Sequence, residues 1–314
     1  MRLDDLPESG NIEDRRGETG YGGGGGGFGL PIGGGGLGIG TVLVLGLIGW
    51  AMGIDPSLLI GGAEILSGSN QSQTQAPPSA RHTSKPQDQT GRFVAQVLGS
   101  TEARWKDIFA QDGKTYRPPV LVLYNGATQA RCGGMAQSAM GPFYCPEDRK
   151  VYLDTSFFKE IATRFRGCEI GSKSCQFSQA YVIAHEIGHH VQNLLGILPK
   201  AQHAQRVAGS RAEANHIQVQ VELQADCLAG VWANRENEYL KSRGKPPMIE
   251  AGDVEAALRT AAAIGDDTLQ RRSQGYAVPD SFTHGSAEQR QRWFYMGFRS
   301  GSVQSCNTFA SAQL

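Results

Sequence analysis

Nowhere in this 314-residue chain do two cysteines stand as Cys-x-x-Cys, which argues against a zinc cluster held by thiolates. Nor is there a block of Lys and Arg. The 30 basic residues balance 30 acidic ones at a formal net charge of zero, leaving no electrostatic footprint for nucleic acid. Charge is missing altogether from Thr19 to Ile54, and no Lys or Arg occurs between Arg16 and Arg81. Positive charge therefore flanks that stretch on its N-terminal side alone.

What is there divides the chain in four. Residues 1–36 carry charges and then a glycine run, Gly22 to Gly27, with too little apolar surface to offset the entropy of ordering, so disorder is expected. Residues 37–60, rich in Leu, Ile, Val and Gly with Trp50 towards the end, are long enough to span a bilayer. Arg2, Arg15 and Arg16 ahead of them place the N-terminus in the cytoplasm and everything after the span outside, as a single-pass inner-membrane protein. Asp55-Pro56 and Leu58-Leu59-Ile60 make a poor cleavage site, so an uncleaved anchor is expected. Residues 61–91, rich in Ser, Gln, Thr and Pro, read as a solvated tether, and residues 92–314 as the folded domain.

Within that domain the pattern is mixed. Val94, Val97, Leu98, Trp105, Ile108 and Phe109 fit an amphipathic helix. The run from Val120 to Tyr124 after two prolines, and Lys150 to Asp154, read as strands, with a Gly-rich loop between Thr128 and Cys145. Long helical segments follow, and Pro199 is expected to help mark the end of the first. The class is α+β, dominated by helices, with a small sheet. Six cysteines, an even number, suggest three disulfides and an oxidising compartment. Cys132 with Cys145 and Cys168 with Cys175 would close short local loops. Cys227 with Cys306 would tie the C-terminal tail to the helix carrying Glu222.

The stretch from Ala180 to Val191 holds His185-Glu186-x-x-His189 among apolar residues at helical spacing. Residues i and i+4 share a helix face, so both imidazoles can reach one zinc ion while Glu186 takes a proton from bound water. A third protein ligand is required. The metzincin solution fails, because Gln192 and Leu195 stand where its Gly and His would be. Glu222 and Asp226, again i and i+4, suit a carboxylate ligand and a carboxylate holding a ligating imidazole from behind; which does which stays open here. His190 and His216 point elsewhere and read as core or surface histidines. His284 precedes a helix that Ser286 could cap, and Arg290 lies inside that helix.

The pattern of Glu222 and Asp226 after the His-Glu motif resembles gluzincin peptidases. Thr283-His284 with Arg290 looks like the late motif of membrane zinc peptidases of the heat-shock and prenyl-protease type, with Gly285 where proline is usual. The whole outline is similar to the neutral zinc metallopeptidases of bacterial envelopes: Gly-rich head, one anchor, Gly141 to Pro146, Val151 to Asp154, the metal helix, Trp293-Phe294 and Cys306. The resemblance implies a zincin-like fold and a zinc endopeptidase. One Zn²⁺ would be held by His185, His189 and Glu222, with Glu186 as base and Asp226 and Arg290 in support. His284 would donate to the oxyanion, with Tyr152 or Tyr144 next in line. A protein or peptide substrate would lie antiparallel along Val151 to Leu153, added to a sheet edge. A zinc-stabilised scaffold or chaperone, or a factor that processes only itself, are the other classes compatible with this outline.

Overall fold

The computed structural model describes residues 1–18, 86–132, 134–163, 172–250, 252–311 and 314. The expected span 37–60 and Cys168 lie outside them. Among the described residues no helix is long and apolar enough to cross a membrane.

The first eighteen residues correct the expectation of disorder over 1–36. Met1, Leu6 and Ile12 are buried. Strand β1 (Ile12–Asp14) pairs in parallel with β2 (Val120–Tyr124), Ile12 opposite Leu121 and Asp14 opposite Leu123. Helix α1 (Gln89–Gln111) starts inside the expected tether, because Asp88 caps it by accepting the Gly91 N–H at 3.0 Å. Its apolar stripe, Phe93, Val94, Val97, Leu98, Trp105, Ile108 and Phe109, is buried as periodicity requires.

The Gly-rich stretch taken for a loop holds a hairpin, β3 (Ala127–Ala130) and β4 (Gly134–Gln137), followed by β5 (Phe143–Cys145). Strand β6 (Lys150–Asp154) completes a sheet of order β1-β2-β6-β5, with β5 antiparallel to β6 and the rest parallel. Side chains alternate across it. Leu121, Leu123, Val151 and Leu153 join the helical core, while Val122, Tyr124 and Tyr152 pack with Ala130 and Ala136 of the hairpin. Strand β6 is thus flanked on both sides and has no edge to offer, which overturns Val151 to Leu153 as a docking edge. The strand at that end of the sheet is β5.

Short helix α2 (Phe157–Thr163) leads towards α3 (Lys173–Leu194), which Ser172 caps through the Cys175 N–H. Helix α3 ends at Leu195 and Gly196, whose φ of 73° only glycine adopts without strain. Pro199 does not end it; it sits in the first turn of α4 (Ile197–Val207), where a missing N–H costs nothing. Then come α5 (Arg211–Ser242), α6 (Asp253–Ala263), α7 (Asp266–Gln274) and α8 (Ala287–Ser300). Ser286 and Gln289 form a reciprocal capping box on α8.

Two close crossings set the helical frame. A Cβ on Gly188 would lie 2.9 Å from the Ala225 carbonyl oxygen, so α3 and α5 touch backbone to backbone beside the His-Glu motif. A Cβ on Gly297 would lie 1.9 Å from the Cys227 carbonyl oxygen, which brings α8 closer still to α5. Disulfides Cys132–Cys145 and Cys227–Cys306 form as expected. Cys175 is disulfide-bonded as well.

Candidate metal centre

The crossing at Gly188 presents one face of α3 to one face of α5. His185 Nε2 lies 3.2 Å from Glu222 Oε2 and His189 Nε2 lies 3.6 Å from Glu222 Oε1. One ligand atom from each of the three falls within 4.8 Å of the other two. The second imidazole nitrogens are occupied behind them. His185 Nδ1 donates to Asp226 at 2.8 Å, and His189 Nδ1 donates to Gln192 Oε1 at 2.9 Å. Two imidazoles with their Nε2 atoms turned to one carboxylate, each held from the rear by an oxygen acceptor, is the donor set zinc favours. The residues present therefore fit the ion.

Asp226 is fully buried and surrounded by donors. Arg290 grips it with two hydrogen bonds of 2.9 Å, and the Tyr181 hydroxyl donates at 2.5 Å. Burial alone would raise its carboxyl, but Arg290 and His185 hold it below the usual carboxylate range. Burial likewise opposes an ionised Glu222, and the neighbouring His189 and His185 hold that carboxyl well down. Burial would depress His185; Asp226 and Glu222 outweigh it, and in the metal-free protein the imidazolium is held up to about 10. Glu186 is 7 % exposed, and burial raises its carboxyl despite the two imidazoles beside it. A carboxylate whose proton affinity is raised in this way is a stronger proton acceptor than an exposed one.

A cavity of about 500 Å³ opens onto this cluster, lined by His185, Glu186, His189, Glu222 and His284 and by Met140 to Tyr144. His284 is half exposed there. Asp266, at the start of α7, fixes its loop by accepting the N–H groups of Thr283, His284 and Gly285 at 2.6, 2.5 and 3.2 Å. His284 Nδ1 lies 3.1 Å from Thr283 Oγ1 and 3.4 Å from Asp266 Oδ1, leaving Nε2 as the uncommitted nitrogen.

Other expectations fare differently. The Tyr152 hydroxyl is turned to Asp148 at 2.6 Å, on the hairpin side of the sheet. The Tyr144 hydroxyl accepts from Asn193 at 2.9 Å and donates to His190 Nδ1 at 3.0 Å, so both tyrosine hydroxyls are engaged away from the His-Glu cluster. His190 is a core histidine, donating from Nε2 to the Arg117 carbonyl, and burial depresses its pKa to about 4. His216 is exposed.

Four residues escaped the sequence reading. Gln192 sits at i+3 from His189 and Gln218 at i−4 from Glu222, donating to its Oε1 at 2.8 Å; helical spacing could have exposed both. Tyr181 at i−4 from His185 carries the same signal. Asp266 carries none, being joined to the His284 loop only by tertiary folding.

Residues 1–309 match the model of the family described as "Putative neutral zinc metallopeptidase". The chain belongs to this family. Proteins similar to it include the Escherichia coli K12 protein YpfJ, 45% identical over 312 residues that cover 99% of this chain and 100% of YpfJ. The Mycobacterium tuberculosis H37Rv protein Rv2575 is 42% identical over 225 residues, 70% of this chain and 71% of its own. No solved structure matches. The neutral zinc metallopeptidase model begins at residue 1, so the N-terminal strand lies inside the family unit.

Proposed function

We propose that this chain is a zinc-dependent endopeptidase of the zincin type, acting on proteins or peptides outside the cytoplasm. The observation that carries the reading is the coincidence, on one cavity, of the donor set His185, His189 and Glu222 with the buried carboxyl of Glu186. Zinc held by these donors would polarise a scissile carbonyl and acidify a water. Glu186 accepts the proton from that water and delivers it to the leaving amine. His284 donates from Nε2 to the oxyanion as it develops, its ring steadied by Thr283 and Asp266. Arg290 and Tyr181 keep Asp226 ionised and aligned, and Asp226 keeps His185 Nε2 directed at the ion.

Substrate backbone lies along β5, since Gly141 to Tyr144 border the cavity and β6 covers only one side of that strand. The experiment is metal analysis together with cleavage of a peptide library, comparing the wild type with Glu186→Gln. The variant should retain one zinc per chain and lose cleavage. Undiminished cleavage by zinc-loaded Glu186→Gln sinks the mechanism. A wild type that binds zinc yet cuts no peptide points to the scaffold class instead.

A further inference from the structure

Helix α3 carries a second polar face beside the one that bears the metal donors. His190 follows His189 about 100° further round the helix, and Asn193 shares its face at i+3. His190 is fully buried and takes no part in the chemistry proposed above. Its Nε2 lies 2.7 Å from the Arg117 carbonyl, which can only accept, so the proton sits on Nε2 and Nδ1 is an acceptor. The Tyr144 hydroxyl donates to that Nδ1 at 3.0 Å and accepts from Asn193 Nδ2 at 2.9 Å. The rings of Tyr116 and Tyr144 stand edge-on to His190, with centroids 5.7 and 5.3 Å away.

Tyr144 is the middle residue of β5, opposite Val151 of β6. Three residues paired along one side have few ladder hydrogen bonds with which to hold a register. Phe143 stacks on Tyr152 at 5.0 Å, and Cys145 is joined to Cys132 in the hairpin turn. Those contacts tie β5 to the sheet and the hairpin. The Tyr144 hydroxyl ties it to α3, one residue beyond His189. A Phe ring would fill the same space, so the hydroxyl adds direction rather than volume. Paired polar groups fix distance and angle where apolar contact allows sliding.

We infer that Tyr144, held by His190 and Asn193, is a positioning residue that sets an extended peptide on β5 in register with the metal donors of α3. The inference rests on the course of substrate along β5 proposed above. Its consequence for substrate class is length. A peptide of several residues in extended form engages β5 and the donors together, whereas a ligand confined to the metal does not sense the bridge.

The test reads binding rather than turnover, on the zinc-loaded full chain. The probes are an alanine-based tetrapeptide hydroxamate and acetohydroxamate, which share the metal-binding group and differ in reach. Tyr144→Phe should weaken the tetrapeptide probe roughly 10- to 100-fold, the cost of a misplacement of about 1 Å, with acetohydroxamate affinity and zinc content unchanged. Asn193→Ala removes one arm of the bridge at a half-buried site. It should shift the same ratio in the same direction, and it carries the test if Tyr144→Phe does not fold. Equal weakening of both probes, or of neither in folded variants, overturns the inference. So does a wild type that binds the tetrapeptide probe no more tightly than acetohydroxamate. Length-dependent loss in a protein whose wild type cuts no peptide upholds the inference and sinks the endopeptidase reading.

Discussion

At the scale of single residues, two carboxylates one helical turn apart face different groups. Glu222 faces both Nε2 atoms, whereas Asp226 faces Nδ1 of His185 and the Arg290 guanidinium. Glu222→Ala should strip zinc severely, and Asp226→Asn should weaken it roughly 10- to 100-fold, as read by competition with a chelator. The reverse order would make Asp226 the ligand. Asp226→Asn should also lower Tm, because it leaves the buried Arg290 charge without its partner. His284 and Asp266 separate in kinetics. His284→Ala should lower kcat by roughly 10²- to 10³-fold with zinc content and KM little changed. Asp266→Asn should lower kcat less while preserving zinc, since it loosens the loop and leaves the imidazole present. Near wild-type kcat in zinc-loaded His284→Ala would assign the oxyanion to another donor.

At the scale of elements, the geometry of the candidate metal centre depends on how closely α3 and α5 approach. Gly188→Ala gains about 0.8–1.0 kcal/mol of helix propensity. Against that stands a methyl driven to 2.9 and 3.0 Å from the backbone of Ala225, in the middle of a 32-residue helix that has nowhere to retreat. Overpacking of this kind typically costs about 1–3 kcal/mol, so the loss should win. Lower Tm together with weaker zinc binding is expected from thermal melts and chelator competition. An Ala variant with both unchanged would show that the helices part without disturbing the donors. Element types were largely legible: the stripe of α1, the strands β2 and β6 and the motif helix α3 follow local periodicity. The hairpin β3–β4 was not, because its short, small and polar residues become strands only when Val122, Tyr124 and Tyr152 offer them a face to cover.

At the scale of the molecule, Cys227–Cys306 closes a loop across a separation of 79 residues and fastens the C-terminal tail beside Asp226. Chain entropy assigns such a link about 4–5 kcal/mol. The tail also touches the centre: the Cys306 carbonyl accepts from Gln224, which accepts from Gln192, the residue behind His189. Cys227→Ser with Cys306→Ser should lower stability by several kcal/mol in denaturant titration and weaken zinc binding modestly. A stability within about 0.5 kcal/mol of wild type, the scatter of neutral surface changes, would mean the tail is held by its contacts alone.

The sequence by itself determined what depends on near neighbours. Helical spacing put His185 and His189 on one face with Glu186 beside them and Glu222 and Asp226 on one face of another helix, and short separation favoured Cys132 with Cys145. Tertiary structure alone decided what depends on chain segments far apart in sequence. It turned Glu222 to Nε2 of His185 and Asp226 to its Nδ1, placed Asp266 beneath His284, buried β6 between two strands, and drew Ile12–Asp14 into the sheet. The reason is physical. Periodicity records which face of an element is apolar, but the partner that covers that face, here residue 121 for residue 12, leaves no periodic trace. A polar N-terminal segment too poor in apolar residues to fold alone is ordered by a sheet and a helix built from residues 70 or more positions away.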